Sequence, residues 1–93
     1  MAYADEQSYE EMIQALQKFS SEAEEQCGVM AGAGQDCVDN TDGDPAAVRS
    51  NGRLQKCVSD IRGALEDIQG IIAALQLELE DIREAAAKAS TGD

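Results

Sequence analysis

Four aspartates, Asp36, Asp39, Asp42 and Asp44, crowd the middle of this chain, and three cysteines, Cys27, Cys37 and Cys57, lie around them. Carboxylates at this density suggest a hard cation, and thiols suggest zinc or a nucleophile. A calcium loop of the helix–loop–helix type needs oxygen ligands at positions 1, 3 and 5, glycine at 6 and glutamate at 12. With Gly43 in the glycine position, Asn40 and Asp42 fit, but Val38 stands first and Arg49 stands last. Specific calcium binding is not expected. The thiols follow no Cys-x-x-Cys spacing, and the chain has no histidine to complete a zinc set or to activate a cysteine. The neighbouring carboxylates Glu24/Glu25 and Glu66/Asp67 read as solvated helix faces, and no glycine-rich phosphate loop follows a strand. No catalytic, cofactor or metal site is expected, and the protein reads as non-enzymatic.

What remains is surface and shape. Nineteen acidic residues stand against seven basic ones, a formal net charge of −12 over 93 residues. A nucleic-acid partner is excluded, because displacing counterions from phosphates needs lysine and arginine. An anionic membrane surface is disfavoured for the same reason. The longest apolar run, Ile71-Ile72-Ala73-Ala74-Leu75, is far too short for a membrane span. The opening MAYADEQSYEE is acidic where a secretory signal is basic and then apolar. Localisation is left open: synthesis in the cytoplasm, with any export proceeding without a cleavable signal peptide.

The second half carries the clearest pattern. Leu54, Val58, Ile61, Leu65, Ile68, Ile72, Leu75, Leu79, Ile82, Ala86 and Ala89 alternate spacings of four and three, an unbroken a/d heptad series. Cys57, Ala64, Ile71 and Ala85 widen this face at the g positions, as a helical bundle requires. Asp44 suits the N-cap and Pro45 the first helical position. The pattern predicts a helix over about 45–88 with a flexible tail at 89–93. The first half is weaker: Ser8-x-x-Glu11 has the form of a capping box, and Tyr9, Met12, Leu16, Phe19, Ala23, Cys27 and Met30 keep helical spacing. A helix over about 6–38 is expected, frayed or kinked after Gly28 by Gly28, Gly32 and Gly34. The turn falls at about 39–44.

If the chain reverses at Asp42, Cys27 faces Cys57, Phe19 faces Leu65, Leu16 faces Ile68 and Met12 faces Ile72. Every such pair is apolar on both sides, so the fold class is all-α, a single domain forming an antiparallel two-helix hairpin. Cys27 and Cys57 then either form a disulfide across the hairpin or pack as reduced thiols. One seam leaves the wide face of the second helix uncovered, and small scaffolds commonly cover such faces by association. The expected partner-binding face comprises Leu16 and Phe19 with Leu54, Val58, Ile61, Leu65, Ile68, Ile71, Ile72, Leu75, Leu79 and Ile82. Pairing of two hairpins, as a homodimer, would give a four-helix bundle. The second helix should also outrun the first, leaving LEDIREAAAKASTGD projecting.

In length, helical-hairpin architecture and turn position the chain resembles the WXG-type (ESAT-like) small proteins of type VII secretion. That family carries Trp-x-Gly in its turn; here Thr41-Asp42-Gly43 occupies the place, with Gly43 matching and Thr41 replacing the tryptophan. The family also ends its second helix with an aromatic followed four residues on by an acid, and Leu77-x-x-x-Asp81 is the degenerate counterpart. The resemblance implies a divergent secretion substrate, partner or adaptor. It would associate with itself, with a related small helical protein, or with a secretion effector or machinery. The alternative is a cytoplasmic or phage-encoded coiled-coil structural or adaptor protein, including a filament subunit.

Overall fold

The computed structural model describes residues 2–91 and consists of two helices, α1 (Ala2–Asn40) and α2 (Pro45–Thr91), packed against each other, with no strand among the described residues. The all-α hairpin expected from the heptads is the observed fold. No helix is long and apolar enough to cross a membrane among those residues.

Both helices are longer than their spacing patterns indicated. α1 starts at Ala2, so Ser8 lies inside it and the Ser8-x-x-Glu11 box does not mark its start; Glu11 instead accepts a 3.0 Å hydrogen bond from Gln7 Nε2. The expected break after Gly28 is absent, and α1 continues unbroken to Asn40. Glycine costs on the order of 1 kcal/mol per helical position. Here burial of Cys27 and Gly34 on the inner side of the same stretch overrides that cost. α2 likewise runs past residue 88 to Thr91, and the rest of the expected tail, residues 92–93, lies outside the described residues.

The connection is built from hydrogen bonds that identify each residue's task. Gly43 N–H donates to Val38 C=O at 2.9 Å and Asp42 N–H to Asp39 C=O at 3.3 Å. These are the paired closing bonds of a Schellman motif, with Asp42 in the left-handed position usually held by glycine. Asp42 has φ 52° and Gly43 φ 74°. Thr41 Oγ1 donates to Cys37 C=O at 2.7 Å, satisfying another carbonyl at the end of α1. Asp44 Oδ2 then accepts from Ala46 N–H (3.1 Å) and Ala47 N–H (3.3 Å), and Pro45 opens α2 where a missing N–H is harmless. The loop carboxylates are thus helix caps and surface groups, and no cluster able to hold a metal occurs among the described residues.

The chain forms two compact units, a turn unit of Ser21–Asp67 and a terminal unit of Met1–Ser20 with Ile68–Asp93. In the turn unit Cys27 and Gly34 of α1 and Val58 and Leu65 of α2 are buried. Gln55 Nε2 donates to Ala31 C=O at 3.1 Å and Arg62 Nε to Glu24 Oε1 at 3.1 Å. A reversal at Asp42 would have set Gln55 against Val29 and Arg62 against Glu22; the reversal lies nearer Gly43, and the register moves with it. Gly34 marks a close helix approach: a Cβ there would clash with Asn51 Oδ1 and lie 2.9 Å from Leu54 Cδ2.

In the terminal unit Ile13, Ile72 and Leu79 form the core, with Tyr9, Leu16, Ile68 and Leu75 packed against it. Arg83 Nε donates to Glu6 Oε1 at 2.8 Å and its Nη2 to Glu10 Oε1. Leu79 and Arg83 therefore belong to the packed hairpin, although the expected overhang included both. Ser20, at the edge of this unit, is buried with its Oγ making no hydrogen bond.

Three substitutions test this account by urea unfolding followed by far-UV circular dichroism. Ser20→Ala should raise stability by about 1 kcal/mol or more, since it removes a buried hydroxyl with no partner. Asp42→Gly should raise it by about 1 kcal/mol by relieving the left-handed backbone. Gly34→Leu should lower it by about 1–3 kcal/mol through overpacking.

Candidate helix-docking face

The residues facing the partner helix recur at heptad intervals on both helices. Val58, Leu65, Ile72 and Leu79 are the buried series of α2; Ile13, Ser20, Cys27 and Gly34 are that of α1. Of the expected face, Val58, Leu65, Ile72 and Leu79 are therefore buried, while Leu16, Leu54, Ile68, Leu75 and Ile82 are half-buried. Phe19, Ile61 and Ile71 are exposed, Phe19 by 55% and Ile71 by 46%. Phe19 and Met12 do not sit in the seam as the Asp42 register required; Ser20 and Ile13, one position on, take their places. A step of one residue turns a side chain by about 100° on a helix, which is enough to move it from seam to flank.

The same displacement disposes of the cross-helix disulfide. Cys27 is 1% exposed, whereas Cys57, the neighbour of buried Val58, is exposed; both are free thiols, as is exposed Cys37. A bridge requires Cβ atoms aimed at each other, and here one points into the seam and the other out of it.

In the terminal unit the two flanks of the seam differ in chemistry. One is polar: Glu10, Gln14 and Gln17 of α1 and Gln76, Glu80 and Arg83 of α2 line a shared hollow. Arg83, bonded to Glu6 and then Glu10, has its pKa raised further above the ordinary arginine value by those bonds, so its charge is permanent. The other flank is apolar. Tyr9, Met12 and Leu75 line a groove with Ser8, and Leu16, Phe19, Ile68 and Ile71 continue it by helical phase. Single exposed hydrophobics are ordinary, whereas here several stand together on one side of the terminal unit. Ile71 and its g-row companions signalled this strip in the sequence. Met12 was visible only as part of an assumed seam, and Arg83 had no local signal.

The remaining expected residues lie elsewhere. Thr41 and Gly43 close the turn, as described. Leu77, 64% exposed, and Asp81 are both exposed on α2, away from the apolar groove by helical phase. Comparison with protein-family models, with curated proteins and with solved structures gives no match.

Two measurements check the arrangement. Phe19→Gln should change stability by less than about 0.5 kcal/mol as an exposed substitution, whereas Ile13→Ala should cost about 2–5 kcal/mol as a buried truncation. In native protein a thiol reagent should modify Cys37 and Cys57 rapidly and reach Cys27 only on unfolding.

Proposed function

We propose that this protein is a non-enzymatic helical hairpin that works by helix–helix association, a divergent relative of the WXG-type small proteins of type VII secretion. The observation that carries the association is the one-sided apolar flank of the terminal unit. A two-helix seam buries one row of each helix, and the polar flank is bridged by Arg83 with Glu6 and Glu10. Among the described residues the apolar flank has no such ion-pair bridge, and a second helical pair laid along it completes a four-helix bundle. The family assignment is supported by the two-helix architecture and by a turn at Thr41–Asp44 in which Gly43 takes the place of the family's glycine. Thr41 and Leu77 stand where that family carries its two aromatics. The chain's role is that of a substrate, partner or adaptor recognised through packed helices.

Sedimentation velocity in 0.5 M salt, where the Debye length shrinks to roughly 4 Å, tests the association. The 9.9 kDa chain should show a discrete, concentration-dependent species of about twice its mass. Phe19→Asp with Ile71→Asp should abolish it while leaving the helical content unchanged. Association that survives both substitutions would place the contact elsewhere, and an open-ended series of masses would favour a filament subunit.

A further inference from the structure

The proposed association leaves the identity of the occupant open, and charge decides it. The chain carries −12, so a second copy laid on the flank brings another acidic surface against the first. The borders of the flank follow from helical phase. On α2, exposed Glu78 stands three residues after Leu75 and seven after Ile71, directly beside the groove. On α1 the border is the uncharged pair Ser8 and Ala15, and the row behind them holds both Glu11 and Lys18, whose charges offset. The basic side chains of the unit lie elsewhere. Arg83 is engaged by Glu6 and Glu10 on the polar flank, Lys18 stands seven residues after Glu11 in that same row behind the border, and Lys88 lies beyond the packed row.

Among the described residues, the charged side chain nearest the apolar strip by helical phase is therefore Glu78, with no cation directly beside it. Charges at the border of an interface govern partner choice and association rate more than strength of binding. Like charges facing each other oppose a wrong pairing, as at the flanking positions of coiled coils.

We infer that the apolar flank of the terminal unit is a docking site for a helical partner whose own apolar stripe is bordered by lysine or arginine, and not primarily for a second copy of this chain. This rests on the association reading above. It adds a sign to the partner: a basic-bordered amphipathic helix or hairpin lays its apolar row along Tyr9, Met12, Phe19, Ile71 and Leu75, with its cations meeting Glu78 and the net negative charge of the chain.

The test uses the full chain and two synthetic helical peptides of about four heptads with leucine at a and d, one carrying lysine at e and g and the other glutamate. Affinities are read by fluorescence anisotropy at about 50 mM and about 1 M salt. The lysine peptide should bind at least about tenfold more tightly than its glutamate twin at low salt, and the gap should narrow to about two- or threefold at high salt. Phe19→Glu with Ile71→Glu makes the protein more acidic, yet should weaken the lysine peptide at least about tenfold, because the apolar strip is what the peptide covers. Unchanged binding by that variant would reduce the interaction to general attraction between opposite charges and overturn the site. Equal affinity of the two peptides, or a tight dimer of the chain at low salt, would overturn the sign of the partner while leaving helix–helix association intact. Absence of association with either peptide and with itself at every salt concentration would overturn both readings. Circular dichroism of the variant separates loss of the site from loss of the fold.

Discussion

The structure depends on how little a two-helix seam can bury. Each helix offers the other essentially one row of side chains, and on α1 that row is Ile13, Ser20, Cys27 and Gly34, of which only Ile13 is a large hydrophobe. Small residues allow close approach, as at Gly34 beside Asn51 and Leu54, but they provide little apolar area. The burden falls on α2, whose Val58, Leu65, Ile72 and Leu79 are the large partners. This asymmetry explains why α2 shows an unbroken heptad series while α1 does not. It also explains why α1, rich in glycine and serine, stays helical: α2 shields its inner row.

With the seam so thin, the turn governs the register. Hydrogen bonding specifies the backbone from Val38 to Val48 almost residue by residue, through the Schellman pair, the Thr41 hydroxyl, the Asp44 cap and Pro45. That stretch was legible as a turn because Asp, Gly and Pro in this order have few other uses. Its centre was not legible. Nothing in the residue types distinguishes a reversal at Asp42 from one at Gly43, since the left-handed position could fall to either. The structure gives positive φ to both.

That one-residue ambiguity accounts for most of the differences between expectation and structure. On α2 the heptads fixed the inward face irrespective of the turn, so its buried row could be read directly. On α1 two rows competed. Met12 and Phe19 formed the more hydrophobic one, and Ile13 and Ser20 formed the one that is used. Hydrophobicity alone favours the first, and the buried hydroxyl of Ser20, with no hydrogen-bond partner, is the cost of the second. The Cys27–Cys57 pairing failed with the same choice. The extra turns at the outer ends of both helices were illegible for a different reason. Helix propensity there is high in any context, and how far the packed seam reaches, to Leu79 and the Arg83 pairs with Glu6 and Glu10, had no local signal in the sequence.

The displaced row makes sense once the flank is considered together with the seam. Had Met12 and Phe19 turned inward, the hairpin would have buried more apolar surface for itself and left Ile13 and Ser20 at the flank. Instead the larger side chains stand outside, beside Ile68, Ile71 and Leu75, while the opposite flank is bridged by Arg83 between two glutamates. For a chain folding only for its own stability this arrangement is the poorer one. It becomes the better one when a further helix covers the strip, because Phe19 and Ile71 then move from water into a bundle core at about 25 cal/mol per Å² of apolar surface. On the proposed reading, the net charge of −12 disfavours meetings between copies at low salt. A narrow seam, one flank bridged by ion pairs and the other left apolar beside Glu78 are thus consistent with the proposed association, in which a further helix covers the strip.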